Sequence, residues 1–508
     1  MNPVADNPYG AGRINKGLKH FLLGKGLTSI AGIGTLLLVI RGLSVQEFAA
    51  YSVLFGLVEL LLAATNVGTG QVFTRFVPEI YSQGYHHALR RLIVLLLGLR
   101  YAVLGAAVLV LYHFSGAISG WIGLSEWESA FRIYLLVVLF RTVTSTLFQV
   151  LEAMLHQGSG QAVLATVTVS RFVLVAIAYS TGNLDLFHLI WLEVLTDFVG
   201  AALMSWSLAR ASRLPSTAAG VDELAWIRRN RSRMVSFGLK GYLQHMIIMP
   251  FSGVANRLVV GSQLPGAQVA LFGFAQSIFD VMQRFLPAQL FVGLIRPVMA
   301  ARYAQHTRFT EIQTITNFIL KINLALIGFL PVIAFAGGEQ ALLALTAGKY
   351  GGTAVSLLFL MSLLIALESW RHVLDLLNHT VERYGVLVFT NAILGSSLIL
   401  GIYLLPALGI FALPAANCVG LVVSNLIVLW WLRKTGFGLR HDIKSVIGIG
   451  LALTLAIVVA HFARPYFNGW IVVTLLAMAA YSAGCYFALM PRGQERTFWS
   501  KVLVAARG

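Results

Sequence analysis

Five basic residues lie within segments of the sequence that are otherwise apolar. They are Lys25, Arg141, Arg171, Lys240 and Arg257. A charge at the centre of a membrane helix costs roughly 2.5–3.5 kcal/mol on insertion scales, so such side chains should face protein or water. Grouped in one cleft, they would offset the desolvation of an anion such as a phosphate. Alternatively, the lysines reach lipid headgroups and the arginines bind backbone carbonyls between helices.

A second group of polar residues shares one face of a predicted helix. Glu368, Arg371, His372 and Asp375 recur at helical spacing, which places them on a single stripe. This stripe could relay protons, because histidine titrates near neutral pH. A structural ladder of ion pairs is the alternative that the spacing favours, because opposite charges four residues apart attract.

Further acidic residues are candidates for binding a coupling ion. Glu193 and Asp197 lie four residues apart with no cation near them in the sequence, so we expect one of them to be protonated or to hold a cation. Asp280 can pair with Arg284 within one helix. The full set of ion-coupling candidates is Glu59, Glu193, Asp197, Asp280, Glu368, His372 and Asp375.

The elements that carry these residues follow from composition. The chain has 508 residues, of which 58% are hydrophobic and 11% charged, and about 20 apolar residues suffice to cross a bilayer as a helix. Such segments recur along the whole chain, which predicts an all-α integral membrane protein with about fourteen transmembrane helices. The first six predicted spans are Phe21–Ile40, Phe48–Val72, Leu92–Phe114, Phe131–Leu155, Val163–Thr181 and Leu186–Ala209. The remainder are Phe237–Val260, Val269–Ala300, Ile315–Ala336, Thr353–Asn378, Val386–Leu405, Ile410–Leu432, Ile447–His461 and Trp470–Met490.

Basic residues are concentrated in alternate loops, most densely at 210–233 and 433–444. Because short cytoplasmic loops retain positive charge, these loops and both termini are predicted to be cytoplasmic, in the inner membrane. The net charge of +17 is spread over many loops. It indicates topology and contact with anionic lipids, and no nucleic-acid partner is expected.

The sequence offers little for covalent or redox chemistry. Cys418 and Cys485 both lie inside predicted spans, so neither a disulfide framework nor a cysteine metal site is expected. The glycines Gly68 and Gly70 lack the strand and loop that a nucleotide-binding motif requires, and they are predicted to permit close helix packing or a bend. We therefore expect no cofactor and no enzymatic activity.

The two halves of the chain echo each other in parallel order. Corresponding pairs are Lys25 with Lys240, Arg41 with Arg257, Glu59 with Asp280, and Pro78 with Pro297. Several matches in one order indicate a duplicated six-helix lobe. The predicted organisation is an N-terminal lobe at 1–209, a basic loop at 210–234, a C-terminal lobe at 235–432, and two additional helices with a tail at 433–508.

Three local features suggest a family. These are Gly24-Lys25-Gly26, the connector from Arg41 to Tyr51, and Arg75-Phe-Val-Pro-Glu79. With them the chain resembles the O-antigen and polysaccharide-biosynthesis flippases, which belong with the multidrug and lipid-linked peptidoglycan precursor exporters. In the connector, Ser44-Val45 and Phe48-Ala49 stand where the family commonly has a proline and a Tyr-Gly pair.

The resemblance implies two six-helix lobes around a central cleft and transport by alternating access. The implied substrate is a polyprenyl-(pyro)phosphate-linked oligosaccharide, which moves from the cytoplasmic to the outer leaflet with its phosphates near Lys25, Lys240 and Arg171. Membrane lipids, a coupling H⁺ or Na⁺, and polymerase or assembly proteins of polysaccharide synthesis are the other expected partners.

Two alternatives remain at this point. A cation-coupled multidrug exporter of the same fold would have an acidic and aromatic cleft without arginines. A membrane-embedded glycosyltransferase or polymerase would need an acidic catalytic pair beside a sizeable extracytoplasmic loop. The predicted loops on that side are short, which disfavours the second alternative.

Overall fold

The computed structural model describes residues 11–154, 156–212, 223–286, 309–381, 385–467 and 469–490. All regular elements in these ranges are helical, so the predicted all-α class is confirmed. Eleven segments are long and apolar enough to cross a membrane by length and composition. The chain is a multi-pass membrane protein, and the total of fourteen spans stays a prediction.

The helices before residue 290 are α1 Ala11–Gly42, α2 Val45–Ala64, α3 Thr69–Ser82, α4 His86–His113, α5 Ser115–Trp121, α6 Glu128–Ala153, α7 Gln157–Ser180, α8 Leu186–Ala211, α9 Glu223–Ile248, α10 Gly253–Gln263 and α11 Gly266–Phe285. Those after it are α12 Phe309–Ile327, α13 Phe329–Leu345, α14 Gly352–Thr380, α15 Gly385–Leu408, α16 Ala412–Lys434, α17 Ile443–Ala463 and α18 Trp470–Leu489. The end of the eighth predicted span, residues 287–300, lies outside the described residues.

The chain divides into two compact units. Unit 1 comprises Met1–Met249 and Arg257–Ala270, and unit 2 comprises Pro250–Asn256 and Leu271–Gly508. In unit 1, α1 packs along α7 and α6 packs along α8, while α3 contacts α4, α6 and α9. A buried apolar cluster that includes Phe73, Phe76 and Met204 joins α3, α4, α6, α7, α8 and α9.

The second predicted span, Phe48–Val72, is wrong as a single helix. It breaks between Ala64 and Thr69, where Gly68 has a φ of 81°, a value that glycine adopts without strain. A Cβ at Gly68 would lie 2.4 Å from the backbone oxygen of Gly238 on α9. Gly68 therefore allows both the bend and the close helix packing that the sequence predicted for this glycine.

Two other predicted spans are also interrupted. The seventh, Phe237–Val260, breaks at a short 3₁₀ turn, Met249–Phe251, because Pro250 cannot donate a helical hydrogen bond. The ninth, Ile315–Ala336, divides at Gly328, and helix continues to Leu345. A Cβ at Gly328 would collide with the Tyr481 hydroxyl, only 1.9 Å away, so glycine is needed where α18 crosses this break.

Unit 2 is built around α14, α15 and α16, with the two C-terminal helices packed on α12 and α13. The Tyr481 hydroxyl donates a 2.9 Å hydrogen bond to the Ala325 carbonyl. Lys321, almost fully buried on α12, pairs at 2.8 Å with Asp442, which caps α17. These contacts attach α17 and α18 firmly to unit 2.

Many large apolar side chains remain exposed along the helices. Examples are Ile30 at 73%, Trp206 at 62% and Leu451 at 66% exposure. A soluble protein rarely leaves so much apolar surface in water, whereas a bilayer solvates it. The exposed faces are therefore consistent with contact with lipid.

Candidate functional site

A cavity of about 660 Å³ lies within unit 1, lined by α2, α3, α4, α6 and α9. Its size is in the usual range for sites that bind small organic ligands, roughly 300–1,000 Å³. The polar and charged residues of its wall are Glu59, Asn66, Gln71, Thr74, Arg100, Arg141, Ser145, Gln149 and His245. The wall thus contains two arginines, Arg100 and Arg141, and one carboxylate, Glu59.

Arg100 on α4 is the most deeply buried charged residue of this wall, at 2% exposure. Its Nη2 donates a 3.2 Å hydrogen bond to the Leu62 carbonyl in the last turn of α2. Within the described residues, Nε and Nη1 of Arg100 have no hydrogen-bond partner. Buried N–H donors normally have one, so this guanidinium has donors to offer to a ligand.

The break between α2 and α3 faces the same cavity, where Asn66 and Gly70 form part of the wall. The side-chain oxygen of Asn66 accepts a 2.7 Å hydrogen bond from the Gly70 N–H and a 3.1 Å bond from the Thr69 hydroxyl. Tyr242 on α9 donates to the Ala64 carbonyl at 2.8 Å. The end of α2 is thereby capped, and the start of α3, the positive end of its dipole, adjoins the cavity.

Arg141, on another wall of the cavity, belongs to a buried network of four charges. Its guanidinium lies 2.8 Å from Asp197 and 3.2 Å from Glu193 on α8. Arg171 on α7 pairs with Asp197 at 2.6 Å, and the Tyr51 hydroxyl donates to Glu193 at 2.9 Å. The network therefore contains two arginines and two carboxylates.

This network corrects the sequence analysis on one point. The sequence shows no cation near Glu193 and Asp197, but in the structure Arg141 and Arg171 reach them from two other helices. Sequence spacing could not show this, since the hydrogen-bonded partners are separated by 56 and 26 residues. The two arginines are therefore ion-paired within unit 1.

Phe55 on α2 connects Arg141 with another predicted site residue. The guanidinium carbons of Arg141 and Arg257 lie 6.0 Å and 5.0 Å from the centre of its ring, within the range of cation–π attraction. Arg257 is 3% exposed. The structure thus brings Arg141 and Arg257 to the same aromatic ring, which lines the cavity.

The two predicted lysines have different surroundings. Lys25 on α1 is partly buried and interacts electrostatically with Glu152 on α6. Lys240 on α9 is exposed. Of the ion-coupling candidates in unit 1, Glu59 lines the cavity directly, whereas Glu193 and Asp197 lie behind Arg141.

The polar stripe of unit 2 contains the ion pair that its spacing favours. Arg371 lies 2.9 Å from Asp375. Its guanidinium also donates to Ser424 at 2.6 Å, to Thr390 at 2.8 Å and to Asn391 at 2.9 Å. Arg371 therefore ties α14, α15 and α16 together as a structural group.

The remaining candidates of unit 2 lie on the facing surfaces of α11 and α14. Gln276 donates to Asp280 at 2.9 Å, and Gln283 donates to Glu368 at 2.5 Å. His372 is partly buried, one turn beyond Glu368. Among the described residues, no cluster of three or more histidine, cysteine or acidic side chains could hold a metal ion.

Sequence reasoning missed Arg100. This residue stands alone in the apolar run of α4, without a periodic partner, so no spacing rule selected it. The free-energy cost of placing a charge in a membrane could have identified it. An isolated arginine near the centre of a 28-residue apolar helix is unfavourable unless it faces protein, water or a ligand.

No protein family and no curated protein matches the sequence. Among solved structures, the chain is similar to the lipid II flippase MurJ in an inward closed conformation, with a TM-score of 0.69 and 13% identity over 91% of this chain and 97% of that one. It is also similar to an inward-facing multidrug resistance MATE family transporter of the MOP superfamily, with a TM-score of 0.64 and 13% identity over 80% and 94%. The chain shares the fold of these two proteins.

Proposed function

We propose that this protein is a flippase that moves a polyprenyl-(pyro)phosphate-linked oligosaccharide from the cytoplasmic to the outer leaflet of the inner membrane by alternating access. The fold, shared with a lipid II flippase, supports transport of a lipid-linked molecule. The observation that carries the choice of substrate is Arg100 in the wall of the unit 1 cavity, because its guanidinium donates only to a backbone carbonyl among the described residues and favours an anion. The product would serve the synthesis of a cell-surface polysaccharide.

The membrane potential supplies a driving force for this direction of movement. A substrate anion of charge about two gains on the order of 4–5 kcal/mol when it moves outward across 100 mV, if no other ion moves with it. Coupling to H⁺ or Na⁺ would add to this, and Glu59 is the coupling candidate that lines the cavity.

A cation-coupled multidrug exporter is the second candidate. The MATE transporter shares the fold, and Phe55 with Glu59 forms an aromatic and acidic part of the same cavity wall. Such a wall suits an organic cation. The two candidates therefore differ in the sign of the charge that the protein transports.

The test is transport by the intact chain in proteoliposomes. Three probes are compared: a fluorescent pyrophosphate-linked saccharide lipid, the same saccharide on a phosphate-free polyprenol, and a fluorescent organic cation. The proposal predicts protein-dependent movement of the first probe only, accelerated by a potential that is negative on the side of origin. Movement of the cation without movement of the pyrophosphate lipid would establish the exporter instead.

A further inference from the structure

We propose that Arg100 is the residue that binds phosphate in the unit 1 cavity, with the first turn of α3 as its neighbour; this inference rests on the proposed function for the identity of the natural ligand. It assigns a binding role to a side chain that the sequence analysis did not select. The chemical class of ligand is a phosphodiester, or a pyrophosphate substituted at both ends, in which one substituent carries hydroxyl groups.

The guanidinium of Arg100 has the donors that such a ligand needs. One nitrogen is engaged by the Leu62 carbonyl, while Nε and Nη1 have no acceptor among the described residues. An arginine can give two parallel N–H donors to two phosphate oxygens. The side chain lines the cavity, and Nε and Nη1 themselves are buried, so the guanidinium must turn toward the cavity to present these donors to a ligand.

The bond to Leu62 also holds the guanidinium in position. Leu62 lies in the last turn of α2, whose carbonyls lose their helical partners at the break. Arg100 and Tyr242 both donate to carbonyls of this turn. A side chain anchored in this way loses less conformational freedom when it binds an anion.

The start of α3 adds positive potential to the same cavity. This helix has 14 residues, and its first turn includes Gly70, which lines the cavity. The N-terminal end of a helix attracts anions through its N–H groups and its dipole. Half-helix ends inside membrane transporters use the same physical effect on anionic substrates.

Two amide groups of the wall suit the hydroxyl groups of a sugar. The Oε1 atoms of Gln71 and Gln149 are buried and have no hydrogen-bond partner among the described residues. Hydroxyl donors would satisfy them. The cavity volume of about 660 Å³ accommodates a phosphate with one or two sugar rings.

The proposal is tested by binding to the full-length protein in detergent, measured by its intrinsic tryptophan fluorescence. The probes are a polyprenyl pyrophosphate, inorganic pyrophosphate and the corresponding polyprenol. We expect Arg100→Gln to raise the Kd for both pyrophosphate probes by at least about tenfold, the loss typical of a hydrogen bond to a charged group, and to leave polyprenol binding unchanged. The difference between the first two probes separates a lipid-linked ligand from free pyrophosphate.

A second variant covers the case in which Arg100→Gln fails to fold. Gln149→Glu is nearly isosteric and introduces a negative charge into the cavity wall, so it should also weaken binding of the pyrophosphate probes. Gln157→Glu, at the start of α7 and outside the cavity lining, is the matched control and should bind as the native protein does. Unchanged pyrophosphate binding in Arg100→Gln, or in Gln149→Glu, would overturn the proposal.

Binding and transport can fail separately. If both variants weaken pyrophosphate binding but the native protein moves no saccharide lipid, the assignment of Arg100 stands and the flippase function falls. If the native protein moves the lipid and Arg100→Gln binds and moves it equally well, the flippase function stands and the assignment of Arg100 falls.

Discussion

Arg100 in unit 1 and Arg371 in unit 2 are both buried arginines on long apolar helices, with exposures of 2% and 4%. Their surroundings differ. Arg371 meets one carboxylate and three neutral oxygen acceptors on neighbouring helices, whereas Arg100 has one backbone acceptor and lines a cavity. The comparison indicates that burial alone does not assign a role, and that the number of protein partners separates a structural arginine from one that can bind a ligand.

The largest effect is expected from removing the structural arginine. Arg371→Gln leaves Asp375 without its cation and several buried oxygens without a donor, so it should lower the free energy of unfolding by about 3–5 kcal/mol. Arg100→Gln breaks one hydrogen bond and should cost about 1 kcal/mol. Measuring the free energy of unfolding of both variants in mixed micelles checks this order of effects. An equal loss of free energy in the two variants would contradict the distinction between a structural and a ligand-binding arginine.

The paired network behind the cavity should show strong coupling. Arg171→Gln and Asp197→Asn each leave a buried partner charge, and the double variant removes both members of the 2.6 Å pair. We expect a coupling energy of about 1–3 kcal/mol in a double-mutant cycle of unfolding. Additive losses would show that these charges act independently, which would contradict their assignment as one network.

A smaller effect is expected at the helix break. Asn66→Ala removes the acceptor of the Gly70 N–H and the Thr69 hydroxyl, and loss of such a cap costs about 0.5–2 kcal/mol. Asn66→Asp retains the acceptor but adds a negative charge to the cavity wall. It should keep stability and weaken pyrophosphate binding, a separation that unfolding and fluorescence titration together can detect.

The smallest effect concerns pH. Burial of the Asp442 carboxyl favours its neutral form, but hydrogen bonds from Lys321 and Ser445 outweigh this and hold its pKa below the usual value of 3.8. Because the folded pKa is depressed, the stabilisation is present at neutral pH and is lost as the pH falls below about 4. The thermal midpoint of Asp442→Asn should therefore vary less between pH 6 and pH 3 than that of the native protein. An identical pH profile would count against the Lys321–Asp442 pair.

The helical class and most helix positions could be predicted, because hydropathy reports local contact with lipid. The sequence predicted close packing or a bend at Gly68 but not the end of the helix at Ala64, and the packing partner Gly238 could not be identified because it lies far away in the sequence. The partners of Glu193 and Asp197 were missed for the same reason. The Arg371–Asp375 pair could be predicted from the sequence, because its two members are four residues apart on one helix.

The two arginines also show where site prediction from sequence ends. Arg100 stands alone in an apolar run of its helix, whereas Arg371 has Asp375 four residues away, so sequence alone gave Arg371 a plausible partner while giving Arg100 no role. Only the three-dimensional arrangement shows that Nε of Arg371 faces Asp375 at 2.9 Å, whereas Nε and Nη1 of Arg100 face no acceptor among the described residues. The predicted cations Lys25 and Lys240 remain candidates for contacts with the substrate phosphates outside this cavity.

The most direct test of the account is transbilayer movement of the pyrophosphate-linked saccharide lipid by Arg100→Gln in proteoliposomes, normalised to the folded protein. Arg132→Gln on α6, which lies outside the cavity lining and loses an ion pair with Glu128 and a hydrogen bond to Ser115, serves as the control. We expect Arg100→Gln to lose most of the movement and Arg132→Gln to retain it. Movement by Arg100→Gln at the native rate would contradict the account.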